Sequence, residues 1–284
     1  MPFTVQLGLL LALVTALMSV VGFFLKHAGA VAAPAVLWRR PWASTVALFR
    51  SPVYAIGCVV ATTSWGFHVA ALALAPISLV QSVIAGGLVF VTVVAGWVFH
   101  HPVTRREWIG VGLTAAGLVF LAATLERTGN SAHSSYHDLT LALAVGGATL
   151  AGAALVWRAR SGPLLGVAAG MLWAGSDVTI KALSGKTGDL GLAVIVHPFA
   201  FVILALSFFG LLVSARSLQI GPVVPVIALT SATANALTIA AGPAVFQEPL
   251  PQGAGALLVR LAAFALVIAA ASLTPPRMRT PEPT

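Results

Sequence analysis

Charged residues are scarce in this sequence, at 8% of the chain, and acidic residues are scarcer still, with seven Asp and Glu among 284 residues. Soluble domains carry roughly 25% charged residues. This deficit excludes a soluble globular protein, because so apolar a chain could not hide its hydrophobic surface from water. Lipid must therefore be the solvent for much of the molecule.

Cysteine is nearly absent as well. The single cysteine, Cys58, lies inside an apolar run and is expected to pack as a small buried side chain. One thiol excludes an intrachain disulfide and a cysteine-based metal cluster. The sequence also lacks a glycine-rich phosphate loop, a Gly-x-Ser-x-Gly motif and a His-Glu-x-x-His motif. We therefore expect no enzyme activity, no cofactor and no metal centre.

Long apolar runs dominate the chain, which is 59% hydrophobic with a mean hydropathy of +1.00. A helix needs about 20 apolar residues to cross the hydrocarbon core of a bilayer. The sequence predicts an all-α, polytopic membrane bundle of about nine transmembrane helices. The predicted spans are Val5–Leu25, Pro52–Ala75, Ile77–Phe99, Trp108–Leu125, Leu139–Trp157, Pro163–Leu183, Leu192–Ala215, Val223–Phe246 and Ala254–Leu273.

The stretch 28–50 interrupts this pattern between the first two spans. It contains Arg39, Arg40 and two prolines, so it is predicted to be a cytosolic connector on the membrane surface. Trp38 and Trp42 would then lie at the level of the lipid headgroups. A tenth span within this stretch is the alternative.

The basic residues predict the orientation in the membrane. With the N-terminus outside, Arg127, Lys181 and Lys186 lie on the outer side and Arg260 lies within the ninth span. The other basic residues, eleven of the 15, then face the cytoplasm: Lys26, Arg39, Arg40, Arg50, Arg105, Arg106, Arg158, Arg160, Arg216, Arg277 and Arg279. This asymmetry follows the positive-inside rule and predicts a multi-pass protein of the plasma (inner) membrane with a cytoplasmic C-terminus. The basic excess thus indicates topology and contact with the lipid bilayer, and no nucleic-acid partner is expected.

Two parts of the chain resemble each other. The segment from Ala75-Pro76 to His101-Pro102 and the segment from Gly221-Pro222 to Glu248-Pro249 both begin at a proline, continue as an apolar span and end in an aromatic residue, polar residues and another proline. A weaker pair is Lys26 with Lys181. Because the members of each pair are five spans apart, they would have opposite orientations, as in inverted-repeat transporters. We predict two halves, 1–130 with about four spans and 131–273 with about five, followed by a disordered cytosolic tail at 274–284.

Several stretches also match a known family in their order along the chain. They are Ala71 to Gln81, Trp108 to Gly117, Gly175-Ser176-Asp177 to Lys181, His197-Pro198, and Gly221-Pro222 to Pro225 with Phe246 to Pro249. Together they resemble the drug/metabolite transporter (EamA-like) superfamily and, within it, the NIPA-like branch of magnesium transporters. The resemblance implies the inverted-repeat fold of that superfamily, transport activity, a plasma-membrane location and a homodimer.

The sequence departs from the NIPA-like pattern in two places. Ser64-Trp65-Gly66 stands where those proteins carry an acidic residue, and His100-His101-Pro102 stands where a glutamate is common. A divalent cation needs oxygen ligands, usually including carboxylates, and the spans offer one obvious carboxylate. These departures favour a small solute over Mg²⁺.

Ionisable residues inside the spans are the first candidates for a substrate or ion pathway. Asp177 lies about two thirds along the sixth span, where a charge is costly. Lys181 is four residues further on, shares a helix face with Asp177 and can pair with it. The pair would be either a proton- or cation-linked site or a structural ion pair with Lys181 extending to the outer interface. Arg260 either extends to the interface in the same way or binds an anionic substrate group.

Uncharged polar and aromatic residues complete the predicted pathway. His68, in mid-span, is expected to hydrogen-bond between helices or to relay protons. Trp65 and Trp173 either pack or stack on a substrate. The predicted lining of a polar cavity is Gln81 and Ser82 from the third span with Thr230, Ser231, Asn235 and Thr238 from the eighth.

Three functions remain open at this stage. The first is a secondary transporter that moves a small-molecule solute by alternating access, with export implied by the family resemblance and H⁺ as a coupling ion. The second is a NIPA-like Mg²⁺ transporter. The third is a scaffold or accessory subunit that carries no solute.

Overall fold

The protein is described here by a computed structural model that covers residues 3–86, 135–221 and 223–248, together with scattered positions between 105 and 113 and between 253 and 266. All regular secondary structure in these ranges is helical, which confirms the all-α prediction. The elements are α1 (Phe3–Ala32), α2 (Pro41–Phe49), α3 (Pro52–Leu74), α4 (Ile77–Gly86), α5 (Asp138–Arg158), α6 (Gly162–Ser184), α7 (Thr187–Leu190), a 3₁₀ helix (Gly191–Val196), α8 (Pro198–Ile220) and α9 (Val223–Val245).

Five of these helices, α1, α3, α5, α6 and α8, are long and apolar enough to cross a membrane. The predicted spans for α3, α5, α6 and α9 agree with the structure to within one residue at each end. Several parts of the sequence lie outside the described residues: the rest of the third predicted span, most of the fourth and ninth, His100, His101, Arg260 and the tail. The same holds for nearly all of residues 126–138, which separate the fourth and fifth predicted spans.

The predicted end of the first span at Leu25 is wrong, because α1 continues for seven more residues to Ala32. The prediction ended the span just before the charge of Lys26, yet this side chain is buried inside the bundle and is 6% exposed. The helix ends just before Pro34, whose ring disfavours a helical conformation in the preceding residue. The alternative of a tenth span in the connector is also wrong. Its one helix, α2, has nine residues, which cover roughly 14 Å of a hydrocarbon core about 30 Å thick.

The seventh span also begins later than predicted. The helix α8 starts at Pro198 rather than at Leu192, and the residues before it form the short helix α7 and the 3₁₀ helix. His197 is the N-cap, and its Nδ1 accepts a hydrogen bond from the Phe199 N–H at 3.2 Å. Proline at the first helical position lacks only an N–H that would have no intrahelical partner. The break before α8 therefore follows from the His197-Pro198 pair.

Glycines allow the long helices to approach each other closely. Helices α1 and α3 are antiparallel, with Gly8 beside Ala75 at one end and Gly29 beside Tyr54 at the other. In α6 the Gly166 and Gly170 pair faces α9, where a Cβ at Gly170 would lie 2.5 Å from the Thr230 carbonyl oxygen. The sequence showed the spacing of this pair but not its partner helix.

The helix α6 lies at the centre of the described bundle. It packs against α5, α8 and α9, and most of its residues are buried. The helix α4 packs against α9 and α1. This arrangement surrounds the middle of α6 with α1, α3, α4, α8 and α9, and a cavity lies between them.

Candidate functional site

A cavity of about 520 Å³ lies between α1, α3, α4, α6, α8 and α9. Most of its wall is apolar, and the polar side chains converge on it from all six helices. Of the residues predicted from the sequence, eight line it: Trp65, His68, Gln81, Trp173, Asp177, Thr230, Ser231 and Asn235. Cavities of this size and composition are typical of sites for small molecules.

A hydrogen-bonded cluster around Asp177 joins three helices at this cavity. The Asp177 Oδ1 lies 3.0 Å from Nε2 of His68 on α3, and its Oδ2 accepts from Nε2 of Gln81 on α4 at 3.0 Å. The prediction that His68 hydrogen-bonds between helices is confirmed. With Asp177 ionised, Nε2 of His68 carries the donated proton, and the buried Nδ1 is left without a partner among the described residues.

The predicted ion pair between Asp177 and Lys181 is wrong. The Lys181 side chain is fully buried, and its ammonium donates to the carbonyl oxygens of Leu72 at 2.7 Å and Ala75 at 2.8 Å. Pro76 explains this choice. It has no N–H to bond the Leu72 carbonyl four residues earlier, so the break between α3 and α4 leaves carbonyls without helical donors. Lys181 supplies the missing donors and does not extend to the interface.

Two other predicted lining residues also bond away from the cavity. The Ser82 hydroxyl donates to the Ser78 carbonyl oxygen, four residues earlier on α4, at 2.6 Å. The Thr238 hydroxyl donates to the Ala234 carbonyl oxygen at 2.8 Å. Both residues are fully buried and are absent from the cavity wall. Of the four residues predicted on α9, Thr230, Ser231 and Asn235 therefore line the cavity and Thr238 does not.

Three polar atoms of residues that line the cavity are shielded from solvent and have no hydrogen-bond partner among the described residues. They are Nδ1 of His68, Nε1 of Trp173 and Oγ1 of Thr230. Buried polar groups are nearly always hydrogen-bonded to protein or to water. Because these three atoms are closed off from the cavity, they offer no contact to a ligand, whereas the Asp177 side chain is 15% exposed.

Sequence reasoning missed the residues that α1 contributes to this wall, Thr15, Ser19 and Lys26. Their spacing of four and seven residues places them on one helix face. The Ser19 hydroxyl lies 2.9 Å from that of Ser64 on α3, and Ser64 donates to the Thr15 carbonyl oxygen at 2.9 Å. A polar stripe on an otherwise apolar span was the signal that could have found them.

A second buried carboxylate, Glu248, lies away from this cavity. It follows α9 and accepts hydrogen bonds from the hydroxyl and the N–H of Ser78, in the first turn of α4. An anion is favourable at a helix N-terminus. Glu248 therefore ties the end of α9 to the start of α4. No three His, Cys, Asp or Glu side chains in the described ranges lie close enough to hold a metal ion.

These features define a multi-pass membrane protein with a partly polar cavity in its helical bundle. A stretch of 51 residues is 41% identical to the probable 4-amino-4-deoxy-L-arabinose-phosphoundecaprenol flippase subunit ArnE of Klebsiella pneumoniae (strain 342). The match covers 18% of this chain and 45% of that protein, so it spans less than half the relative's length. No family model matches the sequence, and no solved structure matches it.

Proposed function

We propose that the chain is an inner-membrane secondary transporter of the drug/metabolite transporter type, which carries a small solute through the cavity around Asp177. The observation that carries this proposal is a cavity of about 520 Å³ between six helices of the bundle, with the Asp177 side chain, which is 15% exposed, on its wall. An ionisable group inside a membrane bundle is costly and marks a candidate functional site. The similarity to a flippase subunit supports movement of a molecule across or within the membrane.

Packing within the bundle supports the inverted repeat. In the first half α1 packs mainly against α3 and also contacts α4, and in the second half α6 packs against α8 and α9. The repeated segments match α4 with α9, and the weaker pair of Lys26 and Lys181 matches α1 with α6. The helices α3 and α8 directly precede α4 and α9 in the chain. The cavity lies between these two groups of helices, where inverted-repeat transporters bind substrate. Rocking of one group against the other gives alternating access, and the family resemblance implies export.

The His68 and Asp177 pair is the proposed link to a proton gradient. The pair bridges α3 and α6, which belong to different halves, so a change of its protonation alters a contact between them. A second proton on His68, or one on Asp177, would change which partners each group accepts or donates to. Solute and proton would then compete for the same polar atoms.

Mg²⁺ transport is the weaker alternative. Mg²⁺ demands near-octahedral coordination by oxygen and gives up its water reluctantly. On the described wall Asp177 is the one carboxylate, and both its oxygens already accept hydrogen bonds. A further alternative is an accessory role without solute flux, as the name of the ArnE relative is that of a subunit.

Flux measurements on purified full-length protein in proteoliposomes test the proposal. Growth profiling of a strain lacking the protein, against metabolites and metal salts, selects the solutes. Uptake is then followed with a pH-sensitive dye for H⁺ and a magnesium-sensitive dye for Mg²⁺. We expect solute-dependent proton movement that falls at least about tenfold in Asp177→Asn. The control is Asp189→Asn, because Asp189 is an exposed carboxylate outside the cavity.

The outcomes separate the three functions. Normal flux in Asp177→Asn refutes a role for the cluster. A dye response to Mg²⁺ that disappears in Asp177→Asn, without solute-dependent proton movement, favours the magnesium transporter. Folded protein that carries neither solute nor Mg²⁺ favours the accessory role.

A further inference from the structure

The end of the cavity opposite Asp177 contains a buried cation. Lys26 lines the cavity wall on α1, and its side chain is 6% exposed. Its Nζ lies 4.4 Å from the centroid of the Phe23 ring. Among the described residues it has no carboxylate partner and no hydrogen bond. A buried charge without a partner is strongly unfavourable, so this ammonium calls for an anion.

Lys181 shows how this bundle satisfies a lysine that has a structural role. Its ammonium donates to two carbonyl oxygens left free by the break at Pro76 and has no place on the cavity wall. Lys26 differs in each respect, since it contacts an aromatic face and reaches the cavity. The contrast points to a ligand-binding role for Lys26.

The separation of the Lys26 and His68 backbones sets an upper limit on the length of the ligand, because the two side chains tilt toward each other along their antiparallel helices. The backbone of Lys26 lies beside Gly57, and His68 follows Gly57 by eleven residues along α3. Eleven residues of α-helix span roughly 16 Å. Aromatic side chains line the cavity, including those of Phe49, Trp65 and Trp173. A ligand that reaches both ends would be elongated, with an apolar or ring-containing body.

We propose that Lys26 is the anion-binding residue of the cavity and that the carried solute is an organic anion. Its phosphate or carboxylate group would contact Lys26, and its other end would hydrogen-bond to the cluster of His68 and Asp177. The statement that the anion is transported rests on the proposed function. Binding of the anion at Lys26 does not require transport. A phosphate could belong to a soluble molecule or to a lipid headgroup, and the tests separate these two sources.

The reactivity of the single cysteine of the chain can be used to measure the electrostatic potential at this end of the cavity. Cys58 lines the same wall as Lys26. Its thiol can be labelled in the full-length protein with an anionic methanethiosulfonate, the ethylsulfonate reagent, or with a cationic one, the trimethylammonium-ethyl reagent. Each rate is divided by the rate of the same reagent with free cysteine. A positive potential at the thiol favours the anionic reagent.

We expect the normalised rate to be higher for the anionic reagent, and Lys26→Met to lower the anionic-to-cationic ratio at least about fivefold. Lys26→Arg should keep the preference because it keeps the charge. The matched control is Lys186→Met, since Lys186 also contacts an aromatic ring, that of Tyr136, but lies outside the cavity. Cys58→Ser gives the background. Equal normalised rates in the unmodified protein, or an unchanged ratio in Lys26→Met, would overturn the proposal.

Thermal protection gives a second measurement that does not depend on the reactivity of Cys58. Phenyl phosphate should raise the unfolding temperature of the unmodified protein in neutral detergent, because a ligand stabilises the state that binds it. Benzylamine, of similar size and opposite charge, should not. Lys26→Met should weaken the apparent affinity for phenyl phosphate at least about tenfold, as expected for loss of a charge-assisted hydrogen bond. Equal protection by both compounds would contradict an anion site, with or without the labelling result.

Vesicle composition separates a soluble anion from a lipid. If a lipid headgroup occupies the site, phosphatidylglycerol vesicles should lower the labelling preference relative to phosphatidylcholine vesicles, and phenyl phosphate should protect in phosphatidylcholine alone. If the ligand is soluble, the two vesicles should behave alike. If the transport proposal fails and the Lys26 proposal holds, the labelling should keep its preference for the anionic reagent and the proteoliposomes should show no flux. Flux that depends on Asp177 without anion selectivity would leave transport standing and refute the role of Lys26.

Discussion

Substitution of Lys181 by methionine is expected to destabilise the bundle through lost hydrogen bonds to the backbone rather than through a lost ion pair with Asp177. The ammonium donates to the carbonyl oxygens of Leu72 and Ala75 at 2.7 and 2.8 Å, and the side chain is fully buried. Methionine has a similar length and no donor, so both carbonyls would lose their partner. An unsatisfied buried carbonyl costs about 1–3 kcal/mol. Relief from burying a charge offsets part of this, which leaves a net loss of about 2–4 kcal/mol.

A loss of this size should lower the unfolding temperature by about 4–8 °C in a chain of this length. The assay is thermal unfolding of the purified protein in detergent, followed by intrinsic fluorescence. Lys186→Met is the matched control and should change the midpoint by about 1 °C or less, because that ammonium is partly exposed and lies 5.8 Å from the Tyr136 ring.

Combination with Asp177→Asn separates this explanation from an ion pair between the two residues. Asp177 bonds to His68 and Gln81, and Lys181 bonds to backbone carbonyls, so the two effects should add to within about 0.5 kcal/mol. A Lys181→Met protein as stable as the unmodified one, or a coupling above about 1 kcal/mol with Asp177→Asn, would refute the reasoning.

Three further substitutions test the packing and the hydrogen bonds of the bundle by the same unfolding assay. Gly170→Ala should destabilise by about 1–3 kcal/mol because its Cβ would meet α9 at 2.5 Å, whereas Gly147→Ala, with nothing within 4 Å, should be neutral or slightly stabilising. Equal effects of the two would show that α6 and α9 are further apart than described. Ser64→Ala should lower the free energy of unfolding by about 0.5–1 kcal/mol through its lost hydrogen bonds to α1. A larger loss would mean that the packing of the cavity wall also depends on Ser64. Glu248→Ala should cost about 1–2 kcal/mol by removing an anion from the start of α4, and no change would indicate that this contact is not made in the bilayer.

Much of the candidate site was predictable from residue type and position along the chain. Asp177, His68 and Gln81 stand out because polar groups inside apolar spans need a reason to be there. The partners of those residues were not predictable in the same way. The i, i+4 spacing of Asp177 and Lys181 favoured an ion pair, but both residues found partners on other helices.

Lys26 illustrates the same limit at a helix end. In the sequence it closes an apolar run of the usual length for a span, so it was placed at the membrane boundary. In the structure α1 continues past it, and its side chain turns into the cavity. Hydropathy measures the average environment of a segment and does not register which face of the helix a single charge occupies.

The sequence by itself determined the class of the molecule, because an 8% charge content and runs of about 20 apolar residues leave helices in lipid as the one stable arrangement. It also placed most helix ends, since prolines and glycines act through the local backbone. The tertiary structure alone decided which helices meet, which glycines face a neighbour and which polar atoms share the cavity. Those contacts join residues up to 189 positions apart, as for Ala30 and Gln219, and no local pattern encodes such a pairing.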